Sequence, residues 1–531
     1  MRTFLRPLLA ALACALLVQP GAAQTALPSS PSHARSHAPL QLPTLGDGAS
    51  ITTSEERRLG DRIIRSFYRD PDYLDDAPLQ EYVQGIWQPL LAAARARGEI
   101  SPELGERFAW ELLLGRDRSV NAFALPGGYL GVHLGLIGVV GTRDELASVL
   151  AHELSHVSQR HIARLLAQQS RQTPLMIGTM ILGALAASKS PDAAQALIVG
   201  GQALTAQNQL NFSRDMEREA DRVGYSLLAP GGFAPQGAAG MFDRLQQANR
   251  LNDNGSWPYL RSHPLTTERI ADMHARLPVD AVRTQPPPTL EHAMMAARAR
   301  VLSRPGVDML RQWAALPHSG GFAAKPQAER VAALYAAVLA HLQLRDHGPA
   351  RTALAALQKA LAETESPGKA AALRQAALLA AELELAAGQP AAALQALDQV
   401  KEPADRPTRP LLLLRTQVLL RLSQGPGAGQ ALQQIAGPLQ TWVATRPRDA
   451  AAWQALAQVW QAQGQGLRAL RAEAEAHAAH YDYAAALDRF RAGQDLARRS
   501  HSDRSDYIEA SIIDTRLRAM EELLREQAAQ Q

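Results

Sequence analysis

Two histidines four residues apart, His152 and His156, with Glu153 beside the first, constrain this chain more than any other feature. They lie in the run Asp144-Glu145-Leu146-Ala147-Ser148-Val149-Leu150-Ala151-His152-Glu153-Leu154-Ser155-His156-Val157-Ser158-Gln159. The run opens on acids, is rich in Ala and Leu and holds no Gly or Pro, so it is a helix. Positions i and i+4 of a helix share a face, one turn apart. Both imidazoles can therefore reach one metal ion at the Zn–N distance of roughly 2.0–2.1 Å. Glu153 follows about 100° further round the helix, beside the ion as a base rather than as a ligand. The competing reading is two surface histidines that flank a glutamate by chance, and the apolar character of the surrounding helix weighs against it.

At 531 residues the chain is long enough for two or more domains. It is 46% hydrophobic and 20% charged, which is globular, and its 5% aromatic content with abundant Ala and Leu leans helical. A formal charge of +4 is small for this length and gives no reason to expect a nucleic-acid partner. The single cysteine, Cys14, rules out a disulfide framework. Residues 1–23 read as a secretory signal: Arg2 and Arg6, an apolar run from Leu8 to Val18, then Gly21-Ala22-Ala23 as the cleavage signature, with the cut near Ala23. The apolar run is shorter than the roughly 20 residues that span a bilayer, and Cys14 falls inside the removed segment. A mature chain without cysteine fits an exported, oxidising compartment, most simply a bacterial periplasm.

Residues 24–50, with Pro28, Pro31, Pro39 and Pro43, form a linker. Order starts at the helix signature Thr53-Ser54-Glu55-Glu56, and a second helix runs from Pro78 to Arg97 with a possible kink at Pro89. Phe108–Leu114 and Tyr129–Leu134 read as strands, with Pro126-Gly127-Gly128 as the hairpin turn before the second. A strand beside a metal helix suggests an edge on which an extended peptide pairs. The metal helix is expected to continue through His161 to Gln169. His161 lies five residues past His156, and a metzincin-type third ligand needs six, with Gly at the position of Gln159, so the third ligand comes from elsewhere. Residues 170–210 read as a helical hairpin insertion, either buried against the core or lying over the cleft and the membrane surface.

A second helix carries Glu217-Arg218-Glu219-Ala220-Asp221. Glu217 and Asp221 share a face, so Glu217 could complete a His₂Glu site and Asp221 could hold a ligand histidine. Glu219 is the competing acid, about 200° away from Glu217, and a solvated acidic face is the plain alternative. His263, fixed in extended backbone by Pro264, is either structural, a stabiliser of the transition-state oxyanion, or an occupant of the open metal position in a latent form; Arg269 could also serve the oxyanion.

Asn121-Ala122-Phe123-Ala124-Leu125-Pro126-Gly127-Gly128, the His152–His156 pentad, Glu217–Asp221 and Ser262-His263-Pro264 stand in the order used by the HtpX-like gluzincin peptidases. With an export signal and a helical-repeat tail, the chain resembles the BepA/YfgC-type periplasmic zinc metalloproteases. That resemblance implies one Zn²⁺ per chain, held by His152, His156 and Glu217, with Glu153 as catalytic base. It also implies proteolysis of misassembled outer-membrane proteins and chaperone-like help to the β-barrel assembly machinery, while the 170–210 segment offers a possible peripheral membrane contact. After Ser319-Gly320-Gly321 the composition turns Ala/Leu/Gln-rich, with turn glycines at Gly348, Gly388, Gly425 and Gly464, a period of roughly 38. Trp453, Leu456, Ala457, Trp460, Gly464, Ala469 and Ala476 fit the knob pattern of a tetratricopeptide-like unit. The expected architecture is mostly α: an α+β gluzincin-type metalloprotease domain with a small sheet over 51–310, then an α-helical solenoid over 325–531 that docks protein partners. The remaining alternative is a chaperone or scaffold whose protease site is latent.

Overall fold

The computed structural model describes residues 51–168, 212–250, 257–277, 287–366, 368–400, 408–422, 428–499 and 504–529. The expected signal at 1–23, the 24–50 linker and the 170–210 hairpin lie outside the described residues.

Helix α1 (Thr53–Tyr68) begins at Thr52, whose side chain and Glu55 close a reciprocal capping box. The two-residue strand β1 (Tyr73–Leu74) leads into helix α2 (Ala77–Ala96), capped by Asp76. Pro89 stays inside α2. It leaves the Gly85 carbonyl without its helical donor, and Arg143 Nη2 donates to that oxygen at 2.8 Å. A short α3 (Pro102–Arg107) precedes β2 (Glu111–Gly115), which starts three residues later than the periodicity suggests because Trp110 adopts a positive φ of 50°. Strands β3 (Ala122–Leu125) and β4 (Tyr129–His133) form the hairpin, with Gly127 at φ 76° and Gly128 at φ 89° in its turn, where a side chain is disfavoured. The sheet order is β1-β2-β4-β3, with only β2 and β4 parallel, so β3 is an edge.

Helix α4 (Leu134–Val139) turns the chain into α5 (Arg143–Ser158), capped by Thr142. The expected continuous helix through Gln169 is corrected here: α5 ends at Ser158, and α6 (His161–Gln168) is a new helix. Arg160 breaks it by adopting a left-handed φ of 53°. Its guanidinium is anchored to Glu56 at 2.9 Å and to the Ile51 carbonyl at 2.6 Å, which stabilises a conformation non-glycine residues rarely take. Helix α7 (Arg214–Leu228) is capped by Ser213, followed by α8 (Gln236–Arg250), α9 (Tyr259–Ser262) and α10 (Thr267–Ala275). The buried α5 packs against β3, β4, α2, α7 and α8, which places the histidine pair at the centre.

From α11 (Leu290–Leu302) onward the described residues are helical, including α12 (Val307–Ala315), α13 (Gln327–Gln343), α14 (His347–Ala362), α15 (Lys369–Ala386), α16 (Pro390–Asp398), α17 (Arg409–Leu422), α18 (Ala428–Thr445), α19 (Ala450–Ala462), α20 (Gly466–Ala479), α21 (Tyr483–Arg499) and α22 (Arg504–Ala528). From α13 on, consecutive helices pack in chain order, which makes a helical solenoid. Gly388 and Gly464 take the left-handed turns, but Gly348 lies inside α14 and Arg345 occupies that turn at φ 62°. Gly425 lies outside the described residues. The chain from Ala49 onward is one compact unit, and one hydrophobic core runs from Leu74 to Leu383, through the sheet, α5, α11 and the first solenoid helices. Among the described residues no helix is long and apolar enough to cross a membrane.

Candidate metal centre

Helix α5 presents His152 and His156 from one face, and α7 brings Glu217 to them. The two Nε2 atoms are 2.9 Å apart, and each lies 3.5 Å from a Glu217 oxygen. Two donors bound at roughly 2.1 Å to a tetrahedral ion stand roughly 3.4 Å apart, so the three side chains match one ion. The donor set His, His and carboxylate is that of catalytic metal sites with an open position. All four ligand-type side chains around the point, His152, His156, Glu217 and His263, are buried.

Glu153 sits beside the cluster with no exposed surface. Its Oε2 accepts the Ala124 N–H of edge strand β3 at 3.0 Å, while Oε1 is buried without a hydrogen-bond partner. Burial raises its pKa, against the opposing pull of the neighbouring His263 and His152. A carboxyl raised in this way is suited to carry a proton and to release it near neutral pH.

Each of the two histidines is also held through its other nitrogen. His152 Nδ1 meets Asp221 Oδ1 at 3.0 Å. Burial opposes protonation of His152, but hydrogen bonds to Asp221 and Glu217 outweigh it and raise its pKa to about 10 in the metal-free site. His156 is driven the other way, well below the usual value, by burial and by the positive charge on His152. Burial also opposes ionisation of Glu217, and the imidazoles of His263 and His152 overcome it, holding that carboxyl well below its usual range. Phe212 stacks on the His156 ring at 3.9 Å.

Arg269 is turned onto the carboxylates of the cluster. Nε and Nη2 hold Asp221 in a fork at 2.7 and 2.8 Å, and Nη1 donates to the Pro264 carbonyl at 2.9 Å and lies 2.7 Å from Glu217 Oε2. With 6% of its side chain exposed, its charge faces inward to the carboxylates. His263 joins the cluster: Nδ1 is 2.9 Å from Glu217 Oε1 and 3.3 Å from His152 Nε2, and Nε2 is 3.4 Å from Glu153 Oε1. Glu219 lies off the cluster, paired with His161 and Arg164. Sequence reasoning had no role for His161. On a continuous helix it would point about 140° away from His156, and only the break at Arg160 brings it back.

Residues 80–277 match the model of peptidase family M48. Over 446 residues the chain is 28% identical to the beta-barrel assembly-enhancing protease of Escherichia coli K12, covering 82% of this chain and 83% of that one. It is 31% identical over 270 residues to the beta-barrel assembly-enhancing protease of Yersinia pestis, covering 50% of this chain and 53% of the relative. It is 28% identical over 207 residues to the mitochondrial metalloendopeptidase OMA1 of Saccharomyces cerevisiae, covering 38% of this chain and 56% of the relative. The matches thus span about half the length of the Yersinia and yeast relatives. A buried His-His-carboxylate cluster with a glutamate beside it thus lies inside the region, residues 80–277, that resembles peptidase family M48.

Proposed function

We propose that the chain is an exported zinc endopeptidase of the periplasm that cleaves misfolded or misassembled outer-membrane β-barrel proteins. The observation that carries the proteolytic reading is Glu153, buried and half-satisfied, held between the His152–His156–Glu217 cluster and the edge of β3. Zinc held by His152, His156 and Glu217 would polarise the scissile carbonyl and lower the pKa of a water molecule to about 7. Glu153 takes the proton of the attacking water and passes it to the leaving amine. An extended substrate pairs with the outer edge of β3, whose Ala124 N–H already points at Glu153. Asp221 and Arg269 hold His152 and Glu217 in place rather than touching substrate. The relatives named for β-barrel assembly support the substrate class and a link to the assembly machinery, and the tetratricopeptide-like pattern of the tail supports partner docking and chaperone-like help there.

Glu153→Gln tests the reading: cleavage of an unfolded β-barrel substrate should fall by about 10²–10⁴-fold while zinc content is kept. Cleavage at the parent rate by the Gln variant would sink it.

A second reading has its own observation. His263 stands within 3.3 Å of both Glu217 and His152 and fills the side on which a fourth ligand would bind, as a latent protease requires. In that reading the chain acts mainly as a scaffold until His263 withdraws. His263→Ala should then raise cleavage of the same substrate, and a loss instead would make His263 part of the catalytic apparatus.

A further inference from the structure

The two ligand histidines are held by different kinds of partner. His152 rests on a carboxylate, Asp221. His156 rests on another histidine: its Nδ1 lies 2.9 Å from Nδ1 of His161, with the rings 4.9 Å apart and inclined at 76°. The far side of His161 continues the chain, with Nε2 3.1 Å from Glu219 Oε2, and Arg164 Nη1 donates to the same oxygen at 2.8 Å. His161 has no exposed surface, whereas Glu219 is partly exposed. The arrangement exists because Arg160 turns left-handed between the two helices and reverses the direction in which His161 would otherwise point.

The hydrogen inventory of these rings fixes the roles. His156 turns Nε2 to the cluster, so its one ring proton is on Nδ1 and is donated outward. The atom facing it, Nδ1 of His161, must then accept and carry no proton. The proton of His161 is therefore on Nε2, donated to Glu219, whose second donor is Arg164. We propose that His161 is a positioning residue of the metal centre, accepting the Nδ1 proton of His156 and so fixing both its tautomer and its ring plane, with Glu219 and Arg164 holding His161 in turn. Partners of this kind typically change metal affinity by about 10–100-fold. A neutral imidazole relaying to a partly exposed carboxylate gives His156 a softer support than Asp221 gives His152.

The inference rests on the metal-centre reading, and the test separates the two. Zinc affinity of the full chain is measured by competition with a chromophoric chelator, together with the melting temperature of the metal-free chain. His161→Phe keeps the ring volume without a nitrogen, and zinc affinity should fall about 10–100-fold at unchanged melting temperature. His161→Asn places a carbonyl oxygen close to the Nδ1 position and should restore most of that affinity, which a merely space-filling role would not produce. Parent-level affinity in His161→Phe overturns the inference. Should that variant fail to fold, Glu219→Leu decides: it should weaken zinc binding in the same direction, and no change overturns the relay. His156→Ala is the control, since tight zinc binding by that variant would overturn the metal centre itself.

Discussion

With no metal bound, the carboxylates around His152 would favour a proton on its ring at neutral pH. Asp221 and Glu217 outweigh the burial of His152 and raise its pKa to about 10. A histidine raised on folding stabilises the metal-free chain fully below its unfolded value of about 6.5 and loses that contribution as pH rises through the folded value. A ligand histidine must be neutral, so metal loading at pH 7 has to expel this proton. Titrating zinc into the chelator-stripped chain in weak buffer should therefore release about one proton from this residue, and apparent affinity should fall as pH falls. Zinc uptake with no acidification would contradict it. Arg269 is the second single-residue test. Its fork holds Asp221 while Nη1 faces Glu217. A point-like ammonium cannot reproduce a fork, so Arg269→Lys should lower both melting temperature and zinc affinity. Arg269→Met, which leaves two buried carboxylates without their cation, should cost about 3–5 kcal/mol.

At the scale of elements, the centre depends on how closely α7 approaches α5. Gly224 is where they touch: a Cβ there would stand 3.0 Å from the Ala151 carbonyl carbon and 3.0 Å from the His152 nitrogen. Only glycine lets the helix that carries Glu217 and Asp221 sit directly on the helix that carries the histidines. Gly224→Val should force them apart, destabilising the chain by about 1–3 kcal/mol and weakening zinc binding in the same variant. Urea melts with and without zinc would check both effects, and a variant with parent stability and parent affinity would refute the close-packing account. Helix identities here were readable from local signals: α1 from the start signature Thr53-Ser54-Glu55-Glu56, and α5 from its acidic first turn and its Ala- and Leu-rich run. The break at Arg160 was not readable, because its cause is Glu56 and the Ile51 carbonyl, about 100 residues earlier.

Across the whole molecule, the acidic start of α2 is the hub on which later helices are fastened. Arg298 of α11 forks onto Asp76 and reaches Glu382 of α15. Arg374 of α15 binds Glu81, and Arg409 of α17 binds both Asp75 and Asp449. On another seam the Tyr481 hydroxyl lies 2.6 Å from that of Tyr129, which also donates to Asp61. Apart from the exposed Asp75 pair, these contacts are buried or half-buried, so breaking one strands its partners. Arg298→Met should cost about 3–5 kcal/mol, seen as a lowered melting temperature, and a neutral result would show that the clamp carries no stability. For Arg409 the pH dependence follows from Asp449. Burial resists its ionisation, but Arg409 outweighs burial and lowers its pKa. A depressed carboxylate stabilises the fold above its unfolded pKa of about 3.9 and ceases to do so as pH falls through the folded value. The stability gap between parent and Arg409→Met should be full at pH 7 and shrink below about pH 4.

Beyond the mostly helical peptidase with a small sheet and a helical tail that its family resemblance implied, the sequence by itself determined which residue types could meet a metal and where the Pro126-Gly127-Gly128 hairpin turns. Those properties are local. Helical spacing puts His152 and His156 on one face, and glycines permit the turn, whatever surrounds them. The tertiary structure decided how the remaining partners are used. It turned Arg269 inward onto Asp221 and Glu217, set His263 within the His152–His156–Glu217 cluster, and brought His161 behind His156. Each of these depends on where separate segments come to rest in three dimensions, and no periodicity within a single segment records that.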